Sequence, residues 1–423
     1  MTQILLNEKQ QYAYNCIKAG KSIFLTGPGG TGKSTIIKLF SGEYSCSRKI
    51  GLTALTGCAA LLLGGSTLHY YLGIQLGTAP VKNLEISIRK NRKLLSRWLD
   101  LEVLIIDEIS MLTPVLLDKI EELARLVRDS QIVFGGIQLI FTGDFLQLPC
   151  VEGDKFCFES ECWSKCIDEV IYLEEIVRQK ELEFQTVINK VRYGIVDSSV
   201  RDLFDSRLKR NRLDEYKNLE IKPTKFFPLK YMVEEINLKE LDKLDGDFYS
   251  YKMEIIICDK NIKDKQRAID KFLKDSSIPE EIQLCVGAQV MLTRNLDISS
   301  GLVNGSRGVV VEFIEDFPKV KFFNGVETFI KYECNTLEEN GICILTATHL
   351  PLIIAYALTI HKSQGATLDC VEIDLSKSFE YGQSYVALSR VKTIEGLYIK
   401  DIDYSKIIAH PKAIQFYKKY TTI

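Results

Sequence analysis

A glycine-rich stretch at residues 27–35 limits what this chain can fold into more than any other part of its sequence. It reads GPGGTGKST, matches the pattern G-x-x-x-x-G-K-[S/T], and directly follows the apolar run 22–26. Glycines let backbone N–H groups curl around phosphate oxygens, and the helix that follows adds positive potential at its first turn. The pattern therefore predicts a P-loop between a strand and a helix, and with it the binding of a nucleoside triphosphate.

Two residues of the P-loop have side chains that predict a specific role for each. Lys33 supplies a cation to the β- and γ-phosphates, and the hydroxyl of Ser34 is placed to bind Mg²⁺. The remaining members cradle the phosphates with backbone groups. The predicted nucleotide site comprises Gly27, Pro28, Gly29, Gly30, Thr31, Gly32, Lys33, Ser34 and Thr35.

An acidic motif further along the chain complements the P-loop. Residues 104–108 read LIIDE, an apolar strand that ends in two adjacent acids. Asp107 is placed to hold Mg²⁺ with its hydration shell, and Glu108 to polarise an attacking water as a general base. The second acid indicates that the nucleotide is hydrolysed and not merely bound.

Three more polar residues are candidates for contact with the γ-phosphate. Gln147 lies in FTGDFLQLP after a predicted strand, where a neutral amide can sense that phosphate and orient water. Arg178 and Arg390, in VRQ and ALSRV, are candidate arginine fingers, because an always-charged guanidinium suits a transition state with charge spread over phosphoryl oxygens. Taken singly, each residue also fits a solvated glutamine or a surface ion pair.

Composition and patterning describe the rest of the chain as α/β. The chain has 423 residues, of which 46% are hydrophobic and 26% charged, as is usual for a globular protein of two to four domains. Apolar strands alternate with helices in the first part, which implies a parallel sheet covered on both faces. Short β-like runs with Asn-Gly turns at 304–305 and 324–325 interrupt a second α/β part. We therefore predict two α/β cores, the second with a small β insert.

The charge distribution indicates that any polyanion-binding surface is a local basic segment. The net charge is -2, with 54 Lys and Arg against 56 Asp and Glu, so the chain as a whole does not attract nucleic acid. Segment 82–97 is the basic candidate, although a solvated helix face explains the same charges. It holds one acid, Glu85, against Lys82, Arg89, Lys90, Arg92, Lys93 and Arg97.

Twelve cysteines in a chain of this length indicate a reducing, intracellular setting rather than a disulfide framework. Cys150, Cys157, Cys162 and Cys166 cluster in sequence. We interpret them as buried apolar residues and free thiols, with a metal site as the alternative. Two uncharged stretches, 50–81 and 341–360, are interpreted as buried core segments and not as membrane spans.

The chain resembles superfamily 1 DNA helicases of the Pif (petite integration frequency) type, with RecD-like helicases as near relatives. The resemblance runs from about residue 6 to about residue 400 and implies tandem RecA-like P-loop NTPase cores with ATP in the cleft between them. It depends on the ordered blocks GPGGTGKST, LTALTGCAALLLGGSTLH, LIIDEISML, FTGDFLQLP, LEEIVRQ, VGAQVML with GLVNGSRGVV, LTIHKSQGATLD and GQSYVALSRV.

The resemblance also implies domain bounds. Residues 1–175 form the first core, with a small wedge-bearing insert at about 70–100. Residues 176–302 and 346–423 form the second core, and residues 303–345 form a small β-barrel insert within it.

Further contacts follow from the same resemblance. Gln10 contacts adenine, although Lys9 stands where an acid is expected before it, and Gly365 approaches the nucleotide from the second core. Cys150 replaces a proline that is usual after the block FTGDFLQLP, without an expected effect on catalysis. The implied DNA contacts are Thr56, Gly57, His69, Thr359, His361 and Ser363.

The resulting prediction is a helicase that uses ATP and Mg²⁺, moves 5′ to 3′ on single-stranded DNA and unwinds forked duplex DNA. It acts as a monomer, without a membrane, in a nucleus, a nucleoid or a viral replication site. The polarity comes from the resemblance alone. One alternative is a translocase, stimulated by single-stranded DNA, that needs a partner to unwind. Another is a small-molecule phosphotransferase, against which the blocks after residue 350 argue.

Overall fold

The computed structural model describes residues 5–150, 155–227, 229–258, 265–276, 278–297, 299–339, 342–360, 363 and 366–421. The chain divides into two compact units. Unit 1 comprises Met1–Arg178 and Ala409–Ile423, and unit 2 comprises Gln179–Ile408.

Unit 1 alternates helices and strands as the sequence predicts. Its elements before Arg178 are α1 Glu8–Lys18, β1 Ile23–Thr26, α2 Lys33–Tyr44, β2 Ile50–Ala54, α3 Gly57–Leu63, β3 Ser66–Thr67, α4 Leu68–Leu72, α5 Val81–Lys90, α6 Arg92–Asp100, β4 Val103–Asp107, α7 Pro114–Val127, β5 Gln138–Gly143, α8 Trp163–Cys166 and β6 Glu169–Tyr172.

The strands of unit 1 form one parallel sheet in the order β3-β2-β4-β5-β1-β6. All residues of β1, β4 and β5 are buried, as expected where helices cover both faces of a parallel sheet. The register pairs Thr26 with Gly143 and Ile106 with Phe141. Because parallel strands end at the same edge, the P-loop, the acidic motif and the loop after β5 meet there.

The start of helix α7 and its buried face both follow from the local sequence. Thr113 caps its first turn, accepting a hydrogen bond from the N–H of Leu116, and Pro114 occupies the first helical position. Its apolar period buries one face of the helix. The buried apolar residues after the proline are Leu117, Ile120, Leu123, Ala124 and Val127.

Unit 2 is also α/β, with β-rich segments between its parallel strands. Its elements are α9 Leu182–Arg192, α10 Ser198–Ser206, α11 Leu213–Asn218, β7 Thr224–Phe227, α12 Lys230–Leu241, β8 Tyr249–Lys252, β9 Glu254–Ile257, α13 Lys265–Ser276, β10 Glu281–Leu284, β11 Gln289–Leu292, β12 Arg307–Ile314, β13 Phe317–Phe322, β14 Glu327–Phe329, β15 Glu333–Glu339, β16 Ile342–His349, β17 Leu352–Ile354, β18 Ala357–Thr359, β19 Val371–Asp374, α14 Gln383–Ser389 and β20 Leu397–Asp401.

The core sheet of unit 2 is parallel, in the order β18-β7-β19-β20. Antiparallel sheets in the orders β14-β13-β12-β11-β17, β15-β16-β9 and β10-β8 interrupt it. The β part is wider than the predicted 303–345, since β11 and β17 pair with each other outside those bounds. The Asn-Gly turns mark hairpins within the insert, whereas pairing across 60 residues leaves no local signal.

The carboxyl-terminal segment differs from the predicted division. Residues 346–423 were predicted to belong to the second core, but Ala409–Ile423, with helix α15 Pro411–Tyr417, belongs to unit 1. The physical reason is an aromatic cluster, in which the ring of Phe416 lies 5.2 Å from Phe145 and 6.1 Å from Phe24. Unit 1 also continues to Arg178 rather than to residue 175.

The uncharged stretch 50–81 contains β2, α3, β3 and α4, which pack in unit 1. Throughout the described part of the chain, each helix is too short or too polar to cross a membrane. The stretch predicted to bear a wedge, about 70–100, contains α5 and α6.

Candidate active site

The P-loop joins β1 to α2, and its shape requires glycine at three positions. Gly27, Gly30 and Gly32 have positive φ angles of 139°, 84° and 84°. A Cβ atom on Gly30 would lie 2.6 Å from the Cβ of Arg178, and one on Gly32 would lie 2.6 Å from Nε2 of Gln10. The glycines therefore allow two of the predicted site residues to pack directly against the loop.

The Lys33 ammonium group points back into the P-loop. Its Nζ donates to the carbonyl oxygens of Gly27, at 2.7 Å, and Pro28, at 2.9 Å. The hydroxyl of Thr31 donates to the same Pro28 carbonyl at 3.0 Å. A triphosphate in the loop would compete with these neutral carbonyls for the ammonium, and its charge favours it in that competition. Ser34 and Thr35 are exposed in the first turn of α2.

Gln10 closes one side of the P-loop from helix α1. Its Oε1 accepts from the N–H of Asn7 at 3.0 Å, and its Nε2 donates to the carbonyl of Thr31 at 3.0 Å. Lys9, which replaces the expected acid, forms an ion pair with Glu174 at 2.6 Å. Both ends of the Gln10 amide thus bond to protein groups, and its predicted contact with adenine stays a prediction.

Asp107 ends strand β4 at the same edge of the sheet. Its Oδ1 accepts from the hydroxyl of Thr142 and, at 2.9 Å, from the N–H of Glu108. Burial raises the pKa of this carboxyl, against the opposing effect of these hydrogen bonds and of Lys33. Both hydrogen bonds go to Oδ1, so Oδ2 is the oxygen that would be available to a metal ion.

These groups fit Mg²⁺, which prefers hard oxygen ligands and uses few protein ligands beside substrate phosphates. The Ser34 hydroxyl and the Asp107 carboxylate are both such ligands, and a bound cation would offset the burial of the carboxylate. Among the described residues, no cluster of three or more His, Cys, Asp and Glu side chains could hold a metal by itself.

Glu108 adopts a left-handed backbone conformation, with φ 56° and ψ 46°. This conformation costs a non-glycine residue about 1–2 kcal/mol. The turn packs tightly on the end of β5, since a Cβ atom on Gly143 would lie 2.9 Å from the nitrogen of Ile109. The strained turn thus brings the backbone of Glu108 and Ile109 close to the end of β5.

Gln147 lies in the loop that follows β5. Its N–H donates to the carbonyl of Asp144 at 3.0 Å, and its side chain is buried. The side-chain Oε1 has no hydrogen-bond partner among the described residues. A buried acceptor without a donor is costly, so this oxygen is suited to accept a hydrogen bond from water.

The two candidate arginine fingers lie in different units. Arg178 ends unit 1, and its N–H approaches the carbonyl of Gly30 at 3.3 Å. Arg390 lies in unit 2, where its Nε donates to the carbonyl of Val386 at 3.1 Å. Gln179, which the sequence did not single out, donates to the carbonyls on both sides of Arg390, those of Ser389 at 3.2 Å and Val391 at 2.7 Å.

The predicted DNA contacts also divide between the units. Thr56 and Gly57 follow β2 in unit 1, and the Thr56 hydroxyl accepts from the N–H of Ala59 at 3.2 Å. His69 is half-buried in α4, and burial lowers its pKa. The structure thus places Thr56, Gly57 and His69 in one unit, beyond the carboxyl ends of β2 and β3.

In unit 2, Thr359 ends β18 and is buried. Ser363 is fully buried, and its hydroxyl donates to the carbonyl of Ile360 at 2.7 Å. His361 and Gly365 lie outside the described residues. The assigned contacts of these four residues stay predictions.

The cationic side chains of segment 82–97 fall into two groups, those that bond to protein groups and those that are exposed. Arg89 forms ion pairs with Glu85 at 2.8 Å and Asp129 at 2.9 Å, and Arg97 donates to the carbonyl of Tyr71 at 2.6 Å. These two arginines therefore hold α5 and α6 in place. The exposed cations on the same helices include Lys82, Lys90 and Arg92.

The clustered cysteines are mostly interior. Cys157, Cys162 and Cys166 are buried, and Cys150 is half-buried. Burial raises the pKa of the Cys157 thiol far above its usual range. The Cys157 thiol donates to the carbonyl oxygen of Ile109 at 3.7 Å.

Comparison with known proteins places this geometry in a family. The sequence pattern of "PIF1-like helicase" matches residues 5–202, and that of "DNA helicase Pif1, 2B domain" matches residues 273–313. A Bacteroides Pif1 helicase solved in complex with ADP-AlF3 and ssDNA is 32% identical, with a TM-score of 0.65, over 99% of this chain and 98% of that one. The chain belongs to the PIF1-like helicase family. The prediction of tandem RecA-like cores is thereby confirmed, while closure of the β insert into a barrel stays a prediction.

Two relatives show how much of a PIF1-like protein this chain represents. The ATP-dependent DNA helicase PIF1 of Xenopus laevis is 39% identical over 98% of this chain, which spans 64% of that relative's length. Uncharacterized protein 030L of Invertebrate iridescent virus 6 is 37% identical over 97% of this chain and 94% of its own length. The matched spans thus cover nearly the whole chain and extend over both units.

Proposed function

We propose that this chain is an ATP-dependent DNA helicase that hydrolyses ATP at the P-loop of unit 1 and moves 5′ to 3′ along single-stranded DNA. The observation that carries the proposal is the meeting of Lys33, Asp107, Glu108 and Gln147 at one edge of a parallel sheet. That edge supplies a cation for the phosphates, a carboxylate for a metal, a base and a water-orienting amide. Membership in the PIF1-like helicase family supports DNA as the second substrate.

The chemistry begins with the triphosphate. The Lys33 ammonium exchanges its carbonyl partners in the loop for β- and γ-phosphate oxygens. Ser34 and Asp107 would hold Mg²⁺, which when bound neutralises charge on those oxygens. The backbone N–H groups of the glycine-rich loop orient the phosphates for in-line attack.

Hydrolysis then depends on two side chains beyond the loop. Glu108 accepts a proton from the attacking water at its carboxylate, and the Oε1 of Gln147 accepts a hydrogen bond that orients the same water. Arg178, packed against Gly30, stabilises charge that develops on the phosphoryl oxygens. Arg390, which lies in unit 2, is proposed to stabilise the same developing charge.

The proposed DNA contacts suit a motor that does not read sequence. Hydroxyl groups, backbone amides and a neutral histidine bond to phosphates without distinguishing bases. The lowered pKa of His69 keeps its imidazole neutral at pH 7, so it donates one hydrogen bond without adding charge. Exposed cations of α5 and α6 add an electrostatic, salt-sensitive contribution.

Steady-state ATP hydrolysis with and without single-stranded DNA tests the proposal. The wild-type chain should hydrolyse ATP faster with DNA, and Lys33→Ala should abolish the stimulated rate while the protein stays folded. Lys239→Ala, which removes an exposed lysine of α12, serves as the matched control and should keep the wild-type rate. Stimulated turnover in Lys33→Ala would overturn the site assignment.

A second candidate function is a translocase that hydrolyses ATP on DNA but needs a partner to separate strands. This chain spans 64% of the length of its Xenopus relative, so strand separation by this span is tested separately from ATP hydrolysis. Forked duplexes with a 5′ or a 3′ tail distinguish the two functions, because a translocase alone leaves both intact. Sedimentation of the chain bound to the same tailed DNA tests the predicted monomeric state.

For the cellular location, the proposal gives only the kind of compartment. A DNA substrate and the many cysteines are consistent with a reducing compartment that holds DNA, whether a nucleus, a nucleoid or a viral replication site. Imaging of the tagged chain against a DNA stain would test this.

A further inference from the structure

The hydroxyl of Tyr417, in the carboxyl-terminal helix α15, lies between two parts of the candidate active site. Its Oη is 2.6 Å from the hydroxyl oxygen of Thr26, the last residue of β1 before the P-loop. The same Oη is 3.1 Å from the backbone nitrogen of Phe145, in the loop that leads to Gln147. Thr26 and Tyr417 are fully buried, so no bulk water competes for these hydrogen bonds.

The direction of each hydrogen bond follows from counting protons. The Thr26 hydroxyl donates to the carbonyl of Gly143 at 2.9 Å, which uses its only proton. Tyr417 must therefore donate to Thr26, and its oxygen is left to accept from the N–H of Phe145. The result is a relay of three hydrogen bonds that starts at Phe145, passes through Tyr417 and Thr26, and ends at Gly143.

This relay closes the loop after β5 onto the strand that carries the P-loop. Gly27 directly follows Thr26, and the N–H of Gln147 bonds to the carbonyl of Asp144, next to Phe145. A shift of the loop by a fraction of an ångström would thus move Gln147 relative to the phosphates that Gly27 and Lys33 hold. Small displacements of a water-orienting group reduce the rate of the chemical step far more than they reduce substrate binding.

We propose that Tyr417 is a positioning residue for ATP hydrolysis, acting through Thr26 and Phe145 to set the place of Gln147. The inference rests on the proposed function, because it concerns the same reaction. It adds a requirement: a helix from the far end of the chain, 391 residues from Thr26, is needed to complete the hydrolytic site.

A purely structural anchor is the competing explanation. The Tyr417 ring packs on Phe416 at 5.3 Å, Tyr172 at 5.8 Å and Phe145 at 6.4 Å, so the ring alone contributes to folding. Tyr417→Phe keeps this ring and removes only the hydroxyl. The variant therefore separates packing from the hydrogen-bond relay.

The experiment compares ATP hydrolysis, ATP affinity and thermal unfolding in the full chain. The variants are Tyr417→Phe, Thr26→Val, which replaces a hydroxyl by a methyl group, and their combination. Thr26→Ser retains the hydroxyl and is the rescue variant. Tyr420→Phe removes a hydroxyl from a nearby ring that packs on Phe416 at 5.4 Å and is the matched control.

We expect Tyr417→Phe and Thr26→Val each to lower kcat about tenfold, with the Kd for ATP within about twofold of wild type. The kcat of the double variant should be at most about twofold lower than that of either single variant, because both substitutions break the same relay. Thr26→Ser and Tyr420→Phe should keep the wild-type kcat.

Two results would overturn the inference. One is a wild-type kcat in Tyr417→Phe. The other is a fall in kcat that is matched by weaker ATP binding and a lower Tm, which would mark a structural anchor. If the wild-type chain itself does not hydrolyse ATP, the proposed function fails and this inference with it, which is distinguishable from failure of the relay in an active enzyme.

Discussion

The Nε2 group of Gln10 donates a 3.0 Å hydrogen bond to the carbonyl oxygen of Thr31, which ties helix α1 to the P-loop. The same side chain accepts from the N–H of Asn7, so it is held at both ends. Gln10 is buried, and the neighbouring Gln11 is exposed. One amide thus links the start of the first helix to the phosphate-binding loop.

Replacing Gln10 by alanine should weaken ATP binding. The substitution leaves the Thr31 carbonyl without its donor and loosens the loop, at a cost of about 1 kcal/mol or about fivefold in Kd. Titration with a fluorescent ATP analogue measures this. Gln11→Ala on the exposed face of α1 is the matched control, and equal affinity in both variants would show that the Gln10 contact does not shape the loop.

Arg390 should act on turnover and not on ATP binding. If its guanidinium stabilises the transition state, Arg390→Ala should lower kcat about 10³-fold or more while the Kd for ATP changes little. Single-turnover hydrolysis measures the chemical step directly. Arg210→Ala, an exposed arginine of the same unit, is the control. A loss of less than about threefold in Arg390→Ala would remove it from the reaction.

The exposed cations of α5 and α6 should contribute salt-dependent affinity for DNA. Lys82→Ala, Lys90→Ala and Arg92→Ala combined remove three charges, which should reduce the slope of log affinity against log salt by about 2 for single-stranded DNA. Fluorescence anisotropy at several salt concentrations measures the slope.

The control for this patch is a triple alanine variant of α12 and the turn after it, at Lys230, Lys239 and Lys243. These lysines form ion pairs with acids close in sequence and lie in unit 2. An unchanged slope in the α5 and α6 variant would mean that those helices are only a solvated surface.

His349 should make the fold sensitive to acid. It is buried in β16, and neither ring nitrogen has a hydrogen-bond partner among the described residues. Burial lowers its pKa below that of the unfolded chain, about 6.5. The unfolded state therefore binds a proton at this histidine more readily than the folded state does. The contribution of the neutral imidazole to the stability of the fold is fully present above pH 6.5 and is lost as the pH falls.

The groups that face His349 are Arg294 and Glu333, which are paired at 3.1 Å. Thermal unfolding between pH 7.5 and pH 5 should show a falling Tm in the wild type and a smaller fall in His349→Gln. Parallel curves for the two proteins would contradict the assignment of this pH dependence to His349.

Local patterns placed most of the candidate ATP-site residues at strand ends, where the structure also has them. The P-loop, the acids of β4 and Gln147 each follow an apolar strand, and strand ends in a parallel sheet share one edge. The alternation of strands and helices likewise predicted two α/β cores. Strands β11 and β17 pair with each other outside the predicted bounds 303–345, and both are too short to signal which strands they pair with.

Long-range contacts explain what the sequence did not show. Tyr417 and Gln179 act through hydrogen bonds to residues about 390 and 210 positions away, and no local spacing indicates such partners. The aromatic residues of the carboxyl terminus signal burial but not the unit that buries them. The prediction grouped Ala409–Ile423 with residues 346–408, whereas the structure groups it with unit 1.

Unwinding of tailed duplexes by the wild type and by Glu108→Gln tests whether ATP hydrolysis at the P-loop site drives strand separation. The amide is isosteric but cannot accept the proton of the attacking water, so ATP should still bind while hydrolysis falls by about 10²-fold or more. With ATP, the wild type should unwind a duplex with a 5′ tail and leave one with a 3′ tail intact, and Glu108→Gln should unwind neither. Equal unwinding of both duplexes, or unwinding by Glu108→Gln at the wild-type rate, would rule out the proposed mechanism.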